Sequence, residues 1–404
     1  MNIKPDKIQI RNFLTIRYNP LDKPLISPAT WENFKQKTTD PQGYQSENLL
    51  RKSISRSLDK IEGTICVSLS SGIDSTLCLA LLRKVFPKRK ILAICAVFED
   101  AVDESKIAKQ IAEKFEADFK ILHMESLFAN MPEIIFVTKK PRWNTYSHLV
   151  AKEAGRHGKI LVTGDGADEL FGGYTFRYDK FLKLLKDRDS WSIRVKKYLE
   201  CHNRDWVPDQ QELFGNRIKF DWNEIYKYFK YSFTNPLPSL QQVMLADFNG
   251  KLLYDFIPTG KAIYNHYNLV GAPIFLDPDV IRFAQQLPIE QKYDHGKQIG
   301  KLILRKITEK LGVKHSNEKL GFSPSLFFDW KNHGKNICQN YLLNRSSNIF
   351  HDKIINYEWV VKAFEKIEDD GDVRYLNRII SILALEIWYR IFITKEMKET
   401  QTLA

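Results

Sequence analysis

The chain has 404 residues, more than one small core requires and enough for two or three packed units. Apolar residues make up 43% and charged residues 27%, which excludes collagenous and disordered classes. Lys and Arg number 61 against 49 Asp and Glu, a formal charge of +12 that favours a polyanionic ligand; ATP and nucleic acid both qualify. The basic residues are dispersed in short groups such as Lys84, Lys88, Arg89 and Lys90. A solvated basic surface is therefore expected, and nucleic acid is not an expected partner.

The five cysteines, Cys66, Cys78, Cys95, Cys201 and Cys338, are odd in number and form no CxxC pair. That argues against a disulfide framework or a zinc site and for a reducing, cytoplasmic compartment. Met1 to Asp6 carries no apolar signal core. The most apolar late stretch, Ile379 to Ile393, contains Glu386 and Arg390 and is too short to span a bilayer. No membrane partner is expected.

In chain order, residues 1–45 are rich in turn formers (Pro20, Pro24, Pro28, Pro41, Gly43). Within them, Ile8 to Tyr18 alternates as a strand or two would, predicting a short N-terminal β appendage. Leu49, Leu50, Ile54, Leu58 and Ile61 recur every three to four residues, predicting a helix over Glu47 to Lys60. Thr64 to Leu69 is a short apolar run that ends in a Ser/Gly turn, and a helix is predicted from Ser75 to Val85. Ile91 to Phe98 reads as a strand, Glu104 to Phe115 as a helix and Phe119 to His123 as a strand. Tyr146 to Arg156 reads as a helix and Lys159 to Thr163 as a strand. Short buried strands alternating with helices predict an α/β fold with a doubly wound parallel sheet. Past Tyr174 the strand signal fades and helical spacing dominates. The expected division is 1–45 as the appendage, 46–180 as a nucleotide-binding α/β core and 181–404 as a mainly helical substrate side.

Ligands of such sheets bind beyond the carboxyl ends of the strands, and two Gly-bearing turns lie there. The first is Ser70-Ser71-Gly72-Ile73-Asp74-Ser75. Gly72 lets the backbone bend and approach a ligand. Unpaired N–H groups of Asp74, Ser75 and Thr76 at a helix start favour an anion. Asp74 would repel phosphate unless a cation intervened, which points to Mg²⁺. No Lys follows the glycine, so this is not a Walker-type loop. The second turn runs from Gly164 to Tyr174. It crowds Asp165, Asp168 and Glu169 among Gly164, Gly166, Gly172 and Gly173. Like charges so close need a metal or a substrate to offset them.

The first loop resembles the Ser-Gly-Gly-x-Asp-Ser pyrophosphate loop of ATP pyrophosphatases, with Ser71 replacing one glycine. The second resembles the Gly-Ala-Asp-Glu-Leu-Phe-Gly-Gly-Tyr signature of the asparagine synthetase family's synthetase domain. Asp103-Glu104, Arg142 to Thr145, Phe275-Leu276-Asp277, Lys301 to Arg305, Lys319 to Ser323 and Ala384 to Trp388 resemble its other landmarks, so the likeness runs from about 46 to 393. It implies an adenine nucleotide alpha hydrolase-like fold and an ATP-dependent carbon–nitrogen ligase that releases AMP and pyrophosphate. It further implies that Leu69, Ala96, Thr163 and Gly164 line the adenosine and that Ser70, Ser71, Gly72, Asp74 and Ser75 hold pyrophosphate. Asp74 and Asp168 would bind Mg²⁺, Lys301 and Arg142 would neutralise the reacting phosphates, and Asp165 would take the nucleophile's proton.

Two departures qualify the likeness. The family's glutamine-using members begin with a catalytic cysteine, whereas this chain begins Met1-Asn2 and its first cysteine is Cys66. Phe13 to Pro20 resembles at most a remnant of the glutaminase domain's last strand. Ammonia is thus expected free, from a separate glutaminase subunit, or replaced by another amine; a second copy of the chain is the other candidate protein partner. Where the family reads Glu-Val-Arg-Val-Pro, this chain reads Val270-Gly271-Ala272-Pro273-Ile274, and Gly260-Lys261 replaces an Asp-Arg pair. The likeness implies aspartate or a related acid as the substrate, and these changes count against aspartate itself. The alternatives are a lactam- or other amide-forming synthetase, a tRNA-modifying ATP pyrophosphatase and a non-catalytic nucleotide-binding subunit.

Overall fold

A computed structural model describes residues 6–99, 104–124, 126–144, 146–202, 205–313 and 325–403. Five parallel strands, β1 (Ile65–Ser68), β2 (Ile91–Phe98), β3 (Asp118–Met124), β4 (Ile160–Thr163) and β5 (Val270–Pro273), lie in the order β3-β2-β1-β4-β5. Ile65 is paired with Ile91 on one side and Ile160 on the other, and Ile160 in turn with Val270. The chain winds outward from β1 to β3, then returns to β4 on β1's other flank. This reversal opens a crevice beyond the ends of β1 and β4.

Side-chain alternation explains why these apolar runs become central strands. Ile65 and Val67 enter one buried cluster with Ile91, Ala93, Ile160 and Val162. Cys66 enters the opposite cluster with Leu92, Ile94 and Leu161. Helix α2 (Tyr44–Leu58) buries Leu50, Ile54 and Leu58 at four-residue spacing and packs on α3 (Ile73–Val85). Helix Leu302–Lys310 packs on α3 from the same side, while α6 (Ser147–His157) covers β1, β2 and β4 on the other face. Helices α4 (Ser105–Lys114) and α5 (Met131–Thr138) complete this half. The later chain is mainly helical and ends in Val373–Phe392, which buries Leu376, Ile380, Leu383 and Ile387 against α5 and Tyr357–Asp370.

The expected N-terminal strand is instead helix α1 (Lys7–Ile16). Ile10 and Leu14 satisfy both a two-residue and a four-residue period, and Phe13 breaks only the former. The Asp6 carboxylate accepts from the Ile8 N–H at 2.8 Å, and Arg17 closes the helix in the left-handed region at φ 74°; caps of this kind decide such ambiguous runs. Phe13 therefore belongs to a helix and not to a remnant strand. The segment is not peripheral, since Tyr18, Ala29 and Phe34 join the β1 core cluster. Edge strand β5 was not expected, because Val-Gly-Ala-Pro has little strand propensity. Among the described residues no helix is long and apolar enough to cross a membrane. Asp103, Thr145 and Lys319 to Ser323, named above as landmarks, lie outside the described residues.

Candidate active site

The first loop connects β1 to α3. The Ser75 hydroxyl accepts from the Ser70 N–H at 3.0 Å and donates toward the Gly72 carbonyl at 3.2 Å, while the Gly72 N–H donates to Ser70 Oγ at 3.1 Å. These hydroxyls brace the turn as well as lining it. Gly72 is extended (φ −73°, ψ 154°), a conformation open to any residue, so its role is not the bend expected from sequence. Ser71 turns aside, its N–H and hydroxyl both donating to Glu104 Oε2 at 3.0 and 2.8 Å. The Thr76 N–H, expected to be unpaired, bonds to the Gly72 carbonyl at 3.1 Å as the first helical turn closes; Asp74 and Ser75 line the cleft at the start of α3.

The second loop leaves β4 at Thr163 and enters the short helix α7 (Ala167–Phe171). It runs against the first loop so closely that a Cβ at Gly164 would stand 2.8 Å from that of Asp74. A Cβ at Gly173 would overlap the Asp168 carboxylate and the Lys301 side chain. Lys301, left-handed at φ 58° and at the start of Leu302–Lys310, donates its N–H to the Phe171 carbonyl at 3.1 Å. Its Nζ lies 2.5 Å from Asp74 Oδ2 and 2.6 Å from Asp168 Oδ1. Burial disfavours the Lys301 charge, but the two carboxylates outweigh burial and raise its pKa above the ordinary lysine value. Both acids thus converge on one point, held by a permanent cation.

Asp165 faces the crevice at the end of β4. Its Oδ2 accepts from the Thr163 hydroxyl at 2.8 Å and from the Tyr264 hydroxyl at 3.4 Å. Its surface is open to the crevice, yet the protein mass around it raises the carboxyl pKa, and those two hydrogen bonds pull the other way. Such a carboxylate suits proton acceptance. Glu169 is buried and takes a hydrogen bond from the Tyr174 hydroxyl. Burial and the neighbouring Asp168 push its pKa up to about 7. A raised acid pKa means the native state binds the proton more tightly, so this group costs stability as pH rises from the ordinary carboxylate range toward about 7. Glu169→Gln keeps an acceptor for Tyr174. It is expected to match the parent near pH 5 and to exceed its stability by on the order of 2–3 kcal/mol near pH 8. Thermal unfolding at the two pH values measures this.

Two connected clefts share Ser68, Ser147, Val150, Thr163, Asp165 and Phe256. The outer one, about 280 Å³, is lined by Leu69, Ser70, Gly72, Asp74, Ser75, Gly164 and Asp168. The inner one, about 350 Å³, holds Arg142, Tyr146, Lys251 and Tyr264. Ser71 and Ala96 line neither; Ala96 sits in β2, paired with Leu122. Arg142 is buried in an ion pair with Asp255, on the inner side and not against the phosphate loop. Lys251, Tyr264 and Asp255 were not foreseen, since nothing in a helical stretch marks which residues face a cleft. The described residues gather no cluster of three or more His, Cys, Asp or Glu able to hold a metal ion; the two carboxylates that converge here are Asp74 and Asp168, on the Lys301 ammonium. Two convergent carboxylates suit a hard cation that completes its shell with water and phosphate oxygens.

The asparagine synthase family model matches residues 45–390. Asparagine synthetase (glutamine-hydrolyzing) 1 of Bacillus subtilis (strain 168) is 26% identical over 367 residues, covering 81% of this chain and 56% of that protein. A putative asparagine synthetase (glutamine-hydrolyzing) of Mycobacterium bovis is 25% identical, covering 82% and 55%. Among solved structures, U34-tRNA thiolase NcsA from Methanococcus maripaludis is similar at 16% identity and a TM-score of 0.26, over 61% of this chain and 81% of that one. The chain spans about half the length of the curated relatives it matches. With the family model covering most of its length and both signature loops meeting at the β1–β4 crevice, the chain belongs to the asparagine synthase family.

Proposed function

We propose that this crevice activates a carboxylic acid as its acyl-adenylate at the expense of ATP, releasing pyrophosphate, and then joins the acyl group to ammonia or an amine. The observation that carries the reading is the convergence of Asp74 and Asp168 on the Lys301 ammonium at 2.5 and 2.6 Å, where the two signature loops meet. A substrate carboxylate attacks the α-phosphorus of ATP, and the bond to pyrophosphate breaks. The start of α3, the Ser70 and Ser75 hydroxyls and Lys301 hold the departing charge. Asp74 and Asp168 would hold Mg²⁺, which supplies further positive charge for pyrophosphate departure. The amine then attacks the acyl carbon, AMP leaves, and Asp165 takes the amine's proton. Leu69, Thr163 and Gly164 border the adenosine, while Arg142 faces the acyl side. Holding both reactants in one crevice supplies about 7–11 kcal/mol of the barrier.

The relatives named above are glutamine-hydrolyzing synthetases, so a glutaminase partner or free ammonia is the proposed nitrogen source; cytoplasmic residence is part of the same reading. The test is acid-dependent pyrophosphate release with ATP, Mg²⁺ and ammonium, with aspartate first in a panel of carboxylates. At least one acid is expected to stimulate release well above background. Release that no acid stimulates would leave a nucleotide-binding role and refute the ligase.

A further inference from the structure

The acidic start of α4 is a landmark to which the chemistry above gives no part. Asp103 lies outside the described residues, while Glu104 stands immediately before Ser105–Lys114. Its Oε2 accepts from both the N–H and the hydroxyl of Ser71, at 3.0 and 2.8 Å, across a separation of 33 residues. The helix that delivers this carboxylate is itself held firmly. Its first backbone bond runs from the Ala108 N–H to the Glu104 carbonyl at 2.9 Å. Ala108, Ile111 and Ala112 are buried in the β1 core cluster, and α4 packs on β2 and β3.

The attachment point is the informative part. Ser70, Gly72, Asp74 and Ser75 line the outer cleft, whereas neither Ser71 nor Glu104 lines either cleft. The bonds among Ser70, Gly72 and Ser75 stay within the loop. The bonds to Glu104 tie it to a different element, at the one position between Ser70 and Gly72 that turns away from the ligand space. Ser71 also stands where the resembled loop carries a glycine, and its hydroxyl is what supplies the second donor. A carboxylate this near an anion site repels the ligand, so the charge must either block the loop or hold it. Hydrogen bonds to an ionised acceptor are roughly twice as strong as neutral ones. A loop fixed beforehand spares the ligand the cost of ordering it. Because the carboxylate grips the loop from outside the cleft, holding is the role that fits.

We propose that Glu104 is a positioning residue for the phosphate loop: its carboxylate fixes Ser71 from behind, so that the loop's other donors and the start of α3 face the pyrophosphate. This rests on the reading of that loop as the pyrophosphate site. Calorimetry on the full chain measures the binding of inorganic pyrophosphate with Mg²⁺ to the parent, Glu104→Gln, Glu104→Ala, Ser71→Ala and the double alanine variant. Glu104→Ala is expected to bind about tenfold or more weakly. Glu104→Gln keeps an acceptor oxygen and sheds the repelling charge, so it stays within about threefold of the parent. Ser71→Ala loses one of the two bonds and falls between the parent and Glu104→Ala, and it adds nothing once Glu104 is alanine. A folding defect lowers the number of sites per chain, whereas a positioning defect lowers the affinity of the sites that remain. Glu104→Ala that binds pyrophosphate as tightly as the parent overturns the proposal while the loop's assignment stands; tighter binding overturns it too and shows a carboxylate that blocks the loop. A parent that binds no pyrophosphate refutes the loop's assignment, and the proposal with it.

Discussion

Lys301→Met is expected to reduce acid-dependent ATP–pyrophosphate exchange by at least about 10²–10³-fold, the cost of losing one preorganised charge at a transition state. It also has a stability consequence that a merely solvated lysine would not. Lys301 is buried and bridges Asp74 and Asp168, each with a quarter or less of its side chain exposed. Removing it leaves two carboxylates facing each other, and breaking a buried pair costs about 3–5 kcal/mol; partial solvation of the acids places the expected loss near the lower figure. Like charges raise carboxylate pKa values, so the variant gains stability relative to the parent as pH falls into the carboxylate range. Millimolar Mg²⁺ raises the variant's melting temperature more than the parent's, because the cation replaces the lost charge. Asp74→Ala removes exchange to a similar degree without that magnesium response. Unchanged exchange in both variants would sink the adenylation assignment.

The residues that made the nucleotide half of the site legible are those whose chemistry is local. β1, β2 and β4 are short apolar runs with both faces buried, and the loops after them carry their glycines and acids consecutively. Backbone continuity alone therefore brings Ser70, Asp74, Thr163, Gly164, Asp165 and Asp168 to one crevice once the strands pair in parallel. Lys301 lies 227 residues from Asp74, and only its likeness to a family helix pointed to it. The substrate half is built differently. Lys251 and Tyr264 sit in consecutive helical stretches, and their inward direction depends on how the first packs on α7 and the second on α6 and β5. β5 was missed because its strand character comes from pairing with β4 and not from its own side chains. The N-terminal run was misread because its period was ambiguous and Asp6 settled it. Arg142 was legible as a residue but not as the partner of Asp255.

The departure at Gly271 acquires a cause in this arrangement, and with it a second large effect. Helix Ile257–His266 lies against β5, and a Cβ on Gly271 would penetrate the Tyr264 ring. Tyr264 in turn places its hydroxyl 3.3 Å from Thr163 Oγ1 and 3.4 Å from Asp165 Oδ2. The small residue at 271 is therefore what admits a tyrosine to the wall of the inner cleft. Gly271→Val, which restores the residue usual in the family, is expected to cost about 1–3 kcal/mol by overpacking. It also displaces the Tyr264 hydroxyl from Asp165 and weakens whatever the inner cleft binds. Tyr264→Ser removes the ring and is expected to be milder alone. Because the overlap is with the ring itself, the double variant should recover much of the stability lost by Gly271→Val, giving a coupling of about 0.5–3 kcal/mol between the two sites. Denaturant unfolding of the four proteins in the cycle measures that coupling. Strict additivity would show that the ring and residue 271 do not share space. Recovery of stability without recovery of acid binding would separate the packing role of Tyr264 from its contact with Asp165.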